Sequence, residues 1–204
     1  MNNFNLVAPV YELLKLVVFG QSLTKAENHF CHLIKPTDRV LIIGGGHGKI
    51  MNALPADCQI DYLEFSSTMI QMAKQNSKGK SVNFIHGDFL KTKLSERYDW
   101  IITSFFLDVF NEQNLRSACH KMHQLLTDDG QLLVTDFSTT KGTTGKLLLW
   151  TMHAFFKIAA RLESNSLQPI GEYLQSAGLA LVTLKSFASG KVFSAIFKKS
   201  GNLR

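Results

Sequence analysis

The stretch "RVLIIGGGHGKI", Arg39 to Ile50, sets a short continuous apolar run directly before four glycines in five positions. Such a run predicts a strand buried on both faces. The glycines behind it let the backbone turn sharply and approach a ligand closely. Three readings fit that form. A phosphate loop needs G-x-x-x-x-G-K-[ST], but Ile43 stands at the glycine position and Ile50 where the hydroxyl belongs, which excludes it. A dinucleotide loop needs G-x-G-x-x-G; Gly44 and Gly46 fit, but Lys49 takes the third place. The spacing is G-x-G-x-G, over Gly44, Gly46 and Gly48 with Gly45 between. A tight strand-to-helix turn without a ligand is the third reading, so the loop needs support from downstream.

The rest of the chain supplies an alternating pattern. "LVAPVYELLKLVVFG" reads as an apolar helix closed by Gly20, and a second helix spans roughly Thr24 to Lys35, ahead of Pro36. After the glycines a short helix stops at Pro55. "QIDYLE", "SVNFIH", "YDWIITSFF" and "QLLVTDF" read as strands two to five. Between them lie the helix "SSTMIQMAKQNSK", capped by Ser66 or Ser67, and the helix "EQNLRSACHKMHQLL", closed by the turn Asp128-Asp129-Gly130. Five strands alternating with helices predict a parallel sheet covered on both faces. The ending differs: "LALVTLKSF" and "KVFSAIFKK" are joined only through Ala188-Ser189-Gly190, a link short enough for an antiparallel hairpin alone.

Residues 138–165 fit neither pattern and read as an insertion. The expected organisation is a single domain over 1–204. It has a helical cap (1–35), a ligand-binding core (36–137), a helical insertion or lid (138–165), and a terminal helix with hairpin (166–204).

Composition narrows the function classes. A length of 204 residues suits one domain, and 45% hydrophobic residues suffice for a sizeable core. The net charge of +6 is mild and forms no arginine-rich stripe, which argues against a nucleic-acid partner. Cys31, Cys58 and Cys119 are odd in number and widely spaced, offering no metal set and no disulfide framework. The N-terminus lacks the positive head of a signal peptide, and charge interrupts every apolar stretch before ~18 residues. A cytoplasmic protein without metal or transmembrane span is the expectation.

Candidate ligand contacts gather at the strand ends, where sheets of this kind bind ligands. Glu64 ends strand two, and its carboxylate suits two ribose hydroxyls; the alternative is an ordinary exposed strand-end glutamate. Phe65 and Met69 offer apolar surface to a purine. In "HGDF", Asp88 suits an adenine amine and Phe89 a ring face, the alternative being a turn aspartate that caps the next segment.

With those residues in register, the chain resembles the class I S-adenosylmethionine-dependent methyltransferases over about residues 36–137. "VLIIGGGHG" is similar to the family's first motif, "YLEFSSTMI" to its acidic second, "VNFIHGDF" to its third and "YDWIITSFFLDVF" to its fourth-strand segment. The resemblance implies a Rossmann-like, doubly wound, seven-stranded α/β sheet, mostly parallel and ending in an antiparallel hairpin. It implies S-adenosyl-L-methionine as cofactor, with Gly44, Gly45, Gly46 and Gly48 against the methionine moiety and ribose. Glu64 would hold the ribose, Asp88 and Phe89 the adenine, while Ser104 and Phe105 would border the sulfonium. The family usually carries an acid on strand one, where this chain has Ile42. The N-terminal segment resembles the cap of quinone and lipid methyltransferases, with Ala8 and Tyr11 matching its A-x-x-Y stretch.

The acceptor side is read from the residues that remain. Asp108, after strand four, is the candidate base for the acceptor's proton; the alternative is a cap for the helix starting near Asn111. "KLLLWTMHAFFKIAARL" reads as a helix whose Lys146, Trp150, His153, Lys157 and Arg161 share one stripe on an otherwise apolar body. Roofing the pocket, a dimer contact and a membrane-surface contact compete for it. The favoured reading is methyl transfer to a small, largely apolar acceptor, with Tyr11, Phe106, Trp150 and His153 lining its site. The rival is a non-catalytic binding protein on the same fold, working through its apolar surfaces. On the favoured reading the protein is a monomer or a homodimer. A nicotinamide-dependent oxidoreductase is disfavoured by Lys49 and the terminal hairpin.

Overall fold

The structure is a computed structural model that describes residues 21–77, 79–138 and 169–202. Its strands are β1 (Arg39–Ile43), β2 (Gln59–Glu64), β3 (Val82–His86), β4 (Tyr98–Ser104), β5 (Leu126–Phe137), β6 (Leu179–Phe187) and β7 (Val192–Lys199). Its α-helices are α1 (Ser22–Asn28), α2 (Ser67–Asn76), α3 (Glu112–Leu125) and α4 (Ile170–Ser176).

The seven strands form one sheet in the order β3-β2-β1-β4-β5-β7-β6. β1 to β5 are parallel, and β7 runs antiparallel to both β5 and β6. The chain starts in the middle, winds outward to β3, then returns to β4 beside β1. That reversal lies between β1 and β4, where the strand ends open a crevice. The expected α/β sheet with its terminal hairpin is present. The hairpin link turns through Ala188, Ser189 and Gly190, all at positive φ.

Strand alternation explains the two-sided core. Leu41, Ile43, Ile101, Leu132 and Val134 pack with Leu115, Met122 and Leu174 of α3 and α4. Val40, Ile42, Tyr62, Trp100 and Leu133 pack on the other face with Cys31, Met51 and Ala73. A third, smaller cluster joins Leu23 and Ala26 of α1 to Phe137 and Val192.

Two local expectations need correction. The helix expected from Thr24 to Lys35 breaks: α1 ends at Asn28 and a separate 310 turn covers Cys31–Leu33. His32 Nδ1 lies 2.9 Å from the His29 carbonyl oxygen, so a side chain competes there for a backbone group. The Asp128-Asp129-Gly130 turn lies within β5, as an irregularity in its pairing with β4 between Tyr98↔Leu126 and Trp100↔Gln131. The three cysteines are free and buried.

Candidate functional site

The glycine loop leaves β1 with Gly44, Gly46 and Gly48 at φ of +65°, +58° and +79°. The left-handed region is costly for residues with a Cβ, which explains the residue type at all three. What surrounds them differs. A Cβ on Gly44 would meet the Phe106 ring at 2.5 Å, and one on Gly48 would meet Met51 and Ala73 at 2.6 and 2.8 Å. Among the described residues, a Cβ on Gly46 would have nothing within 4 Å. Within that part of the chain Gly46 faces open space, while Gly44, Gly45 and Gly48 serve close packing; Gly45 has the Tyr62 hydroxyl and Ile42 against it.

Two β2 side chains hold the loop. Glu64 Oε2 accepts the Gly46 N–H at 3.1 Å, and its Oε1 accepts the Ser66 N–H at 2.8 Å. Burial raises the Glu64 pKa, and the backbone N–H groups pull against that rise. The exposed-glutamate alternative is excluded by its burial. Tyr62 donates its hydroxyl to the Gly46 carbonyl at 2.8 Å. Sequence reasoning did not select Tyr62, because an apolar strand hides which aromatic reaches the neighbouring loop. Ile42, the residue at the family's strand-one acid position, is buried in the core beside it.

Around this loop the expected purine contacts separate. Phe65 is 73% exposed, free to present a ring face, and Met69 is half-buried at the start of α2. Ser66 caps that helix by accepting the Met69 N–H. Asp88 is half-buried and its Oδ1 accepts the Leu90 N–H at 2.9 Å, so it caps its own turn. Its Oδ2 lies 3.6 Å from Lys91 Nζ. Phe89 departs from expectation: it is 2% exposed, turned into the core against Phe106. The Lys121 ammonium lies over its ring at 4.9 Å and bonds the Phe89 carbonyl oxygen, closing the outer face. Phe89 thus backs the cleft wall.

At the ends of β4 and β5 the chemistry is denser. Phe105 sits at φ +52°, a strained geometry for a bulky residue and typical of functional sites. Its N–H bonds the Thr135 carbonyl, and its ring packs on Phe137 at 4.8 Å. Phe106 lies over Gly44 and against Phe89 and Phe110. Asp108 lies in a 310 turn, Leu107–Val109. It does not cap α3; Asn111 does, accepting the Asn114 N–H at 2.9 Å. Burial pushes the Asp108 carboxyl up to about 6.

Asp136, near the end of β5, was missed by sequence reasoning because only the folded β4–β5 pairing brings it to Asp108. It is fully buried, and its carboxylate accepts the Leu107 N–H at 3.1 Å and the Phe137 N–H at 2.8 Å. Burial and the nearby Asp108 hold its carboxyl well above the usual carboxylate range. Buried Ser104 Oγ, Thr103 Oγ1 and Asp108 Oδ1 have no hydrogen-bond partner among the described residues. Buried polar atoms are nearly always paired, so this group at one strand edge suits a polar ligand. Tyr11, Trp150 and His153, expected to line the acceptor site, lie outside the described residues.

Comparison with known proteins agrees with this geometry. A family profile described as a methyltransferase domain matches residues 40–130. An uncharacterized methyltransferase of Staphylococcus carnosus is 26% identical over 130 residues, 62% of this chain and 61% of that protein. The chain thus spans about three fifths of the curated relative it matches. Among solved structures, an S-adenosylmethionine-dependent methyltransferase from Clostridium acetobutylicum superposes with a TM-score of 0.68 at 12% identity, over 97% of this chain and 99% of that one. A mitomycin 7-O-methyltransferase gives 0.69 at 16% identity, over 97% and 59%. An N-methyltransferase from Bradyrhizobium japonicum, solved with S-adenosyl-L-homocysteine, gives 0.64 at 16%, over 87% and 83%. At these identities the structural likenesses establish the fold.

Proposed function

We propose that this chain, a member of the class I S-adenosylmethionine-dependent methyltransferases, transfers a methyl group to a small, largely apolar acceptor. The observation that carries the reading is the space above Gly46, bounded by the Glu64 carboxylate, with unpartnered polar atoms at the neighbouring strand ends. When bound there, S-adenosylmethionine supplies an already activated methyl group on a sulfonium. Positioning can then supply much of the rate.

The chain's own residues divide that work. Glu64 holds the ribose hydroxyls with oxygens already oriented by Gly46 and Ser66. Phe65 and Met69 give the adenine an apolar face, and the Gly46 backbone accepts close approach. Ser104 and Phe105 border the methyl group. Asp108 takes the proton that an O–H or N–H acceptor loses as it is methylated.

Leu23 of α1 packs on Phe137, and Ser138 follows directly at the end of β5. The described residues nearest the two strongly apolar segments, Leu6 to Phe19 and Leu147 to Leu162, thus include α1 and the end of β5, which pack together. We take the two segments as cap and lid of one pocket, with Tyr11, Phe106, Trp150 and His153 against the acceptor, a mostly apolar cleft of the usual small-ligand kind. Cross-linking with a photoreactive apolar ligand tests this. Labelled peptides should come from both segments and be protected by excess acceptor analogue. Labelling of one segment alone, or of neither, contradicts it.

Ile42 in place of the family's strand-one acid favours one competing reading, a non-catalytic binding protein. A methylated product from a panel of ring and chain acceptors rejects that rival.

A further inference from the structure

We propose that Asp108 and Asp136 form a carboxyl pair that carries one negative charge beside the transferable methyl group, and that this charge selects cationic S-adenosylmethionine over its neutral product, S-adenosylhomocysteine. The inference rests on the cofactor placement proposed above.

Asp136 grips the turn that carries Asp108. It accepts the N–H of Leu107, the residue before Asp108 in the same turn, at 3.1 Å. Asp136 is fully buried, Asp108 is half-buried with its Oδ1 sealed from solvent, and neither makes an ion pair with a described residue. Two buried carboxylates at short range cannot both ionise, so the pair shares a proton and keeps one charge near neutrality. An uncompensated buried charge is costly, and a cationic ligand relieves it.

Independent observations mark the ligand side. Asp108 Oδ1 is sealed from solvent yet has no hydrogen-bond partner among the described residues, whereas Asp136 accepts the Leu107 and Phe137 N–H groups. Thr103 is 1% exposed, and its hydroxyl also lacks a partner. Thr103 pairs with Val134, so strand alternation puts it on the sheet face of Asp136, two residues further along β5. Ser104, whose Oγ is likewise unpartnered, ends the same strand.

Donor and product differ by one methyl group and the positive charge on sulfur. The sulfonium is attracted to the pair, and that attraction disappears once the methyl has left. The same charge thus favours loading of the donor and release of the product.

Calorimetry on the full chain at pH 7.5 tests this, with S-adenosylmethionine and S-adenosylhomocysteine titrated separately into wild type, D108N and D108N/D136N. The wild type should bind the methionine form about tenfold tighter, the scale of one screened charge contact. D108N should keep much of that preference, because Asp136 alone can then hold the charge, and the double variant should bring the ratio near one. A double variant that binds the homocysteine form yet keeps the wild-type ratio overturns the inference, as does a wild type with no preference. Should the double variant fail to fold, D108S/D136N takes its place and is judged by the same ratio. A wild type that binds neither compound overturns the proposed function itself, and this inference with it.

Discussion

Glu64 Oε2 lies 3.1 Å from the backbone nitrogen of Gly46, so the last residue of β2 fixes the centre of the loop that leaves β1. One carboxylate thereby shapes the floor of the loop, and the proposed function gives it the ribose hydroxyls. Glu64→Ala should weaken S-adenosylhomocysteine binding by roughly 1.5–3 kcal/mol, the scale of hydrogen bonds to a charged group. The sheet should survive, because Glu64 ends its strand. Equilibrium dialysis checks the loss; an unchanged dissociation constant in the folded variant removes the ribose role.

The glycines should respond differently. Gly46→Val introduces a branched residue at positive φ into open space, costing about 1–2 kcal/mol of stability but blocking the ligand's approach. Gly48→Ala instead drives a Cβ into Met51 and Ala73, with the Ala73 backbone at 3.0 Å. Its stability loss should be larger, about 1–3 kcal/mol from overpacking plus the strain of its backbone angle. Thermal melts beside binding isotherms separate the two. Wild-type binding by folded Gly46→Val makes the loop a mere turn.

Much of this was legible in the sequence because it is local. β2 runs from Gln59 to Glu64 as its apolar run indicates, and Ser66 caps α2 as a serine before an amphipathic stretch should. The place of Glu64 was legible because it ends the apolar run of β2. Contacts between distant segments were not. Asp136 reaches the Leu107 turn only through the β4–β5 register, and Tyr62 reaches Gly46 only once β2 lies beside β1. Phe89 was misplaced for a related reason: an aromatic after Gly-Asp looks available until α3 brings Lys121 across it.

Asp108 should cost stability at neutral pH. Its folded carboxyl, at about 6, lies above the unfolded value of about 3.9, so the folded state holds the proton more tightly. Stability is therefore lost as pH rises from about 4 to about 6 and stays lower above that window. Asp108→Asn should be more stable than wild type at pH 7.5 by roughly 1–3 kcal/mol, the advantage shrinking towards pH 4. Urea denaturation at the two pH values measures it; an advantage equal at both assigns the effect to packing alone.

If Asp108 is the base proposed above it must be ionised, so methyl transfer should fall as pH drops through about 6. Initial rates across that range, with an O–H or N–H acceptor, test it. A rate flat through pH 6 leaves Asp108 no role in proton removal.

Whether the site takes S-adenosylmethionine is decided by calorimetry of the full chain against S-adenosylhomocysteine and against NAD. Saturable binding of S-adenosylhomocysteine, lost in Gly46→Val, with no measurable heat from NAD is the expected result. Binding of NAD with none of S-adenosylhomocysteine would overturn the cofactor assignment.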